Sequence, residues 1–334
     1  MKSLKADLRP GFSVYRNGPG PVWVAPHCGP TIETATSRDD WSDAVASKCW
    51  AKTGGTLIIS GIPRRQSFGI DFNREMPAES KALSIWKEIM KDSNSDSVQK
   101  FCATYAWAAQ DRREHEWKRK AYSDFWETVR KSGDVVAFIH SQFTMAKNFP
   151  SVLDVITYEG KGADKRIVGA IVDDLNARYQ PFLTGVAKEY AETMLLEHRR
   201  EMARIKELFS GLSLKTMRGE YKTFMLKNIK ALEKYAGKDV TSILEERFSE
   251  ENFLSMLRFM LSQNICPKIT VENVFRGQKA IKTKQPLFSR DRTVMEFEVS
   301  NFLGCWYPEK ARDIILEIVG EVSMAGRPKA KKKA

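Results

Sequence analysis

The stretch Val22-Trp23-Val24-Ala25-Pro26-His27-Cys28-Gly29-Pro30 decides the fold. Val22–Ala25 is the first strong strand of the chain: short, wholly apolar and rich in β-formers, with a Pro/Gly cluster closing it. A helix is expected to begin near Asp39 and run to Lys52. Ser37, followed three residues later by Asp40, offers a capping arrangement at its start, and Gly54-Gly55 stops it. A second apolar run, Thr56-Leu57-Ile58-Ile59-Ser60, follows at once. Strand, helix and strand joined this tightly predict a parallel sheet.

The same grammar continues outward. A polar loop spans 61–77, and helical stretches are expected near 78–92 and 97–132. The apolar run Val135-Val136-Ala137-Phe138-Ile139 reads as a core strand ending in His140. Another, Val152 to Tyr158, ends at Glu159-Gly160-Lys161-Gly162 and precedes a helix over about 164–179. Residues 181–265 change character: they are highly charged and read as almost wholly helical. Ala191, Leu195, His198, Met202, Ile205 and Phe209 recur at steps of four and three, the narrow apolar seam of helix-on-helix packing. Helices near 220–236 and 241–263 follow. Strand character returns at Lys268-Ile269-Thr270-Val271 and over Val294–Val299, and a last helix runs from Pro308 to about Val322. The expected fold is α/β, a mixed, mostly parallel sheet flanked by helices. One domain takes residues 1–180 and 266–326, with 181–265 a helical insertion serving as a lid or dimerisation element, and 327–334 a basic disordered tail.

Composition narrows the function. The chain has 334 residues, of which 42% are hydrophobic and 29% charged, an ordinary globular balance. No apolar run approaches the ~20 residues of a membrane helix. The start, Met1-Lys2-Ser3-Leu4-Lys5, lacks the apolar core of a signal peptide, so a cytoplasmic location is expected. Five cysteines, none in a CxxC pair, speak against a disulfide framework or a cysteine zinc finger and leave metal binding to histidine and carboxylate. The net charge of +12 is compatible with nucleic acid or an acidic substrate. Five of those charges lie in the tail from Arg327, however, and the run Arg112–Lys120 mixes signs as a solvated helix face does. A nucleic-acid partner is therefore the weaker reading.

Only four histidines exist: His27, His115, His140 and His198. His27 and His140 each follow a core strand, and in open α/β sheets the functional crevice lies outside the carboxyl ends of the strands. Two imidazoles meeting there, with a carboxylate, make a zinc site. Glu33, six residues after His27, is the favoured carboxylate; Asp39 and Asp40 are rivals with a ready alternative job at the start of a helix. Asp71-Phe72-Asn73-Arg74, with Arg64 and Arg65 upstream, also follows a core strand, and arginine beside asparagine suits the grip of a free carboxylate. In Glu296-Phe297-Glu298, alternation puts both carboxylates on one strand face, where one can act as base to a metal-activated water.

The segments VAPHCGPTIE (24–33), GIDFNR (69–74), VVAFIHS (135–141), DVITYEGKGADKRI (154–167) and VMEFEVSNFLG (294–304), in this order, resemble the N-formylglutamate amidohydrolase family. More loosely they resemble zinc acylases and carboxypeptidases. The likeness covers about 22–180 and 268–305; residues 181–265 have no counterpart in it. It implies a phosphorylase/hydrolase-like fold and one Zn2+ held by His27, Glu33 and His140. Asn73 and Arg74 then bind the substrate carboxylate, Arg64 or Arg65 steadies the carbonyl oxygen, and Glu298 is the catalytic glutamate. The expected activity is hydrolysis of an amide bond in an N-acylated acidic amino acid or a γ-glutamyl substrate. Cys28 departs from the family, which usually has Ser or Gly after the first histidine.

Overall fold

A computed structural model describes residues 5–30, 38–64, 69–91, 107–142, 149–209 and 266–325, with isolated positions between 251 and 262. The chain folds around an eight-stranded mixed sheet of order β1-β2-β4-β3-β5-β8-β6-β7. The strands are β1 (Lys5–Arg9), β2 (Phe12–Asn17), β3 (Val22–Ala25), β4 (Gly55–Ser60), β5 (Val135–Gln142), β6 (Ser151–Ile156), β7 (Lys268–Val271) and β8 (Thr293–Ser300). The centre, β4-β3-β5-β8, is parallel. β6 runs antiparallel to β8 and parallel to β7, while β1 and β2 form an antiparallel hairpin on the other flank.

The expected strand–helix–strand unit is β3, α1 (Ser42–Thr53) and β4, with β3 and β4 paired side by side. Downstream come α2 (Glu79–Lys91), α3 (Arg112–Lys131), α4 (Lys165–Gly185), α5 (Ala187–Phe209), α6 (Gln278–Lys284), α7 (Asn301–Trp306) and α8 (Pro308–Ala325). The hairpin β1–β2 was not expected. Its apolar positions, Phe12 and Val14, alternate with part-exposed Ser13 and Tyr15 among charges, a weaker signal than the continuous central runs. α4 continues past the expected end near 179, carrying Pro181 inside it. Burial of Leu183 in the core holds that last turn against the loss of one backbone hydrogen bond. Residues 210–250 and 326–334, which include the expected helix near 220–236 and the basic tail, lie outside the described residues.

Strand alternation splits the core in two. Trp23, Ala25, Ala137, Ile139, Met295 and Phe297 face α1, α4 and α8. The start of α5 joins this layer through Tyr190, Ala191 and Met194. Val22, Val24, Val136, Phe138 and Val294 face the aromatic side of α3, where Phe125 stacks on Phe72 at 4.1 Å. On this second face the strands turn from apolar to polar toward their carboxyl ends. Phe138 is level with Glu296, and His140 with Glu298. The candidate chemistry therefore sits on one face, at one end, of the parallel core. Among the described residues no helix is long and apolar enough to cross a membrane.

The loop after β3 has no room for a side chain at Gly29. A Cβ on Gly29 would fall 2.0 Å from the Ile62 carbonyl oxygen, a backbone atom that cannot step aside alone. Gly29→Ala is expected to lower unfolding free energy by about 1–3 kcal/mol through overpacking. Chemical denaturation measures this, and an unchanged midpoint would show that the two loops are free to separate.

Candidate metal centre

His27 leaves β3 two residues after its end, and His140 is the sixth residue of β5. Their rings meet edge to face, with centroids 4.8 Å apart. The carboxylate that joins them is Asp39. Its Oδ2 lies 2.7 Å from His140 Nδ1 and 3.2 Å from His27 Nδ1. One ligand atom from each of His27, Asp39 and His140 falls within 4.8 Å of the others, and all three residues are buried. This group could hold a metal ion.

The local chain explains why Asp39 is there. The expected helix start at Asp39 is displaced: α1 begins at Ser42, after Trp41 in a left-handed conformation (φ 68°). Asp39 instead extends the β3 loop. Its N–H donates to the His27 carbonyl at 2.9 Å, and its own carbonyl accepts from Ser42 Oγ at 2.7 Å. The carboxylate is thus released from the helix dipole and turned inward. Trp41 is kept in place by a close approach to α7: a Cβ on Gly304 would sit 3.1 Å from that of Trp41. Asp40 points elsewhere, to Arg38 at 3.5 Å. Glu33, the favoured ligand, and Arg65 lie outside the described residues.

Hydrogen bonding sets the tautomers. Arg64 Nη1 lies 2.7 Å from His27 Nδ1 and 3.1 Å from Asp39 Oδ1. A guanidinium only donates, so Nδ1 of His27 is the bare nitrogen and its Nε2–H donates to Asp71 Oδ1 at 2.9 Å. His27 Nδ1 and Asp39 Oδ2 then point lone pairs at each other across 3.2 Å, an arrangement that calls for a cation between them. Arg64 partly meets that demand. Asp71 also accepts from the Asn73 N–H at 3.0 Å, so the turn holds the carboxylate that holds the histidine. His140 Nε2 faces the Asn73 amide nitrogen at 3.1 Å, while the buried Asn73 Oδ1 has no partner. Turning that amide over gives the orphaned oxygen the Nε2–H of His140 and bares Nδ1 toward Asp39. Both imidazoles then offer Nδ1 inward with Nε2–H held by an oxygen, the arrangement of metal-bound histidine.

Comparison with protein-family models, curated proteins and solved structures finds no match for this chain.

The remaining groups are spread around this core. Arg74 sits at the rim, its side chain 42% exposed and its Nε 3.7 Å from Asp71. Asn73, expected to bind substrate, has its amide turned to His140. Glu298 and Glu296 are both buried, but their surroundings differ. Burial opposes the charge on Glu296, yet Lys284, His140 and Tyr158 hold its carboxyl down to about 2. Glu298 is pushed well above the usual range by burial, with the negative charges of Glu296 and Asp39 adding to it. The split leaves one carboxylate a fixed anion and the other with raised proton affinity. Asp39 and Asp71 are held low despite burial, Asp39 first by the Arg64 guanidinium and Asp71 first by the His27 ring that donates to it.

Sequence reasoning gave Asp71 no role and passed over Lys284 and Tyr158. Asp71 had a signal, its place two residues before Asn73 beyond a core strand. Lys284 had none, because Lys279-Ala280-Ile281-Lys282-Thr283-Lys284 reads as an ordinary solvated helix. Cys28, beside His27, is no rival ligand: burial pushes its thiol up, and it donates to the Ala25 carbonyl at 3.1 Å.

Depressed carboxyls make stability acid-sensitive. For Asp71 and Glu296 the folded value lies below the unfolded one, so their stabilisation is full above the ordinary carboxyl range and is lost as pH falls through the folded values. Unfolding free energy is expected to decline as pH drops from 4.5 toward about 2. Asp71→Asn should make that decline shallower, which denaturant midpoints measured across this window would reveal.

Proposed function

We propose that the chain is a zinc-dependent amide hydrolase akin to the N-formylglutamate amidohydrolase family, with Asp39 as the carboxylate ligand between His27 and His140. The observation that carries this reading is the convergence of two Nδ1 atoms on one buried carboxylate oxygen. Charge supports it as well. Asp39, Asp71, Glu296 and Glu298 bring four buried carboxyls together against the cations of Arg64 and Lys284. With Arg74 at the rim counted, three cations face these carboxyls, and the cluster carries one uncompensated negative charge when Glu298 is ionised.

A zinc ion at this site supplies Lewis acidity, activating water and polarising a carbonyl. The chain's own groups do the rest. Glu298, level with His140 on the neighbouring strand, takes a proton from the attacking water and passes it to the leaving nitrogen. Its raised affinity for protons suits a base that must become an acid within one turnover. Arg64, half-buried beside Asp39, is placed to stabilise the developing oxyanion. Arg74 at the rim takes the substrate's free carboxylate, which orients the scissile amide. Asp71 and Asn73 hold the imidazoles. N-acylated acidic amino acids and γ-glutamyl peptides are the substrate class that this handle selects.

Purified protein is expected to carry close to one zinc per chain by elemental analysis, and to hydrolyse at least one member of an N-formyl, N-acetyl and γ-glutamyl panel. His140→Ala and Asp39→Asn should lose both metal and activity. A chain that binds no zinc, or a His140→Ala variant with full metal and full activity, overturns the reading. Glu298→Gln separates chemistry from folding. A neutral amide replaces a carboxyl that burial already disfavours as an anion, so thermal stability is expected to hold or rise at pH 7. The rate should fall about 10²–10⁴-fold, the usual worth of a general base.

A further inference from the structure

Lys284, at the end of α6, is fully buried and pairs with Glu296, itself buried on β8. Its ammonium also lies 4.2 Å from the centre of the Phe138 ring and 5.0 Å from that of Tyr158. The Tyr158 hydroxyl donates to the same Glu296 oxygen, Oε2, at 2.7 Å. That oxygen stands 3.9 Å from His140 Nε2, behind the ring and opposite the Nδ1 that faces Asp39. A buried ion pair is an expensive way to hold a helix end, and apolar residues of similar volume often do it as well or better. The position of this one gives it another use. Lys284 and Tyr158 clamp Glu296 at Oε2 and so hold its charge 3.9 Å from His140 Nε2, an electrostatic partner to the ring beside the Asn73 amide that meets the same nitrogen at 3.1 Å.

We propose that Lys284 is a positioning residue for the metal: through Glu296 it fixes the His140 ring with Nδ1 directed at Asp39 and the bound cation. The inference rests on the zinc reading of the His27–Asp39–His140 site. Outer partners of ligating histidines set ring orientation and basicity, and their loss typically weakens metal binding about 10–100-fold. Glu296 also has an alternative to avoid. Unclamped, its carboxylate is free to swing toward the cation and compete with Glu298.

The test compares zinc affinity, by chelator competition, with thermal stability in the wild type, Lys284→Met, Glu296→Gln, the Lys284→Met/Glu296→Gln double variant and Tyr158→Phe. Each single change at the pair strands a buried charge or its partner and is expected to lower stability. The double variant removes both charges and should recover most of that loss. Zinc affinity is expected to stay about 10–100-fold weak in the double variant, with a smaller loss in Tyr158→Phe. If the single variants fail to fold, the double variant and Tyr158→Phe still decide. Wild-type zinc affinity in the double variant means the pair is structural and overturns the proposal alone. A wild type that takes up no zinc removes the metal reading and this inference together.

Discussion

One oxygen atom, Oδ2 of Asp39, organises the carboxyl edge of this sheet. It lies within hydrogen-bonding range of two imidazoles drawn from strands that neighbour each other in space and lie more than a hundred residues apart in sequence. A buried carboxylate without partners would be protonated or expelled. Here burial is overcome first by the Arg64 guanidinium, so the anion persists inside the fold. Everything around it follows from keeping that charge. The β3 loop is tight so that Asp39 can return to His27, α1 starts late so that Asp39 is free of the helix, and Asp71 and Asn73 steady the far sides of the rings.

The second organising constraint is the contrast between two glutamates on one strand. Glu296 and Glu298 share a face and are separated by a single residue, yet one is saturated with cationic and hydroxyl donors while the other is crowded by anions. Placing Lys284 beside Glu296, and not between the pair, makes the two non-equivalent. A symmetric arrangement would have left both titrating together. Much of the difference comes from α6, a short helix whose Lys284 lies 12 residues before Glu296 and whose composition is unremarkable.

Much of the frame was legible because it rests on short-range signals. The runs Val22–Ala25, Thr56–Ser60 and Val135–Ile139 are continuous and mostly apolar, as strands buried on both faces must be, and with Val294–Val299, where two glutamates alternate with apolar residues, they became the parallel centre of the sheet. His27 and His140 were readable because rare residues stood at the ends of those runs. Asp39 was harder to read: a carboxylate near a helix start has a local explanation, and only the left-handed turn at Trp41 shows that the helix had not yet begun. Lys284 and Tyr158 left no trace, since their meaning depends on which residues lie opposite them across the sheet. The hairpin β1–β2 was missed because a flanking strand with one wet face alternates weakly. Glu33 and Arg65 fall outside the described residues.

The contact between Trp41 and Gly304 carries a consequence for how such a site changes over time. α7 follows directly on β8, and its Gly304 touches the side chain two residues beyond Asp39. The strand that bears Glu298 and the loop that bears Asp39 are thereby geared to each other at a point too tight for an added methyl group without a shift of the neighbour. A methyl group added at 304 touches neither ion nor substrate, yet it pushes on the backbone that aims Asp39. The helix behind the sheet and the loop in front of it are therefore one mechanical unit, and a change at either is felt at the buried carboxylate between them.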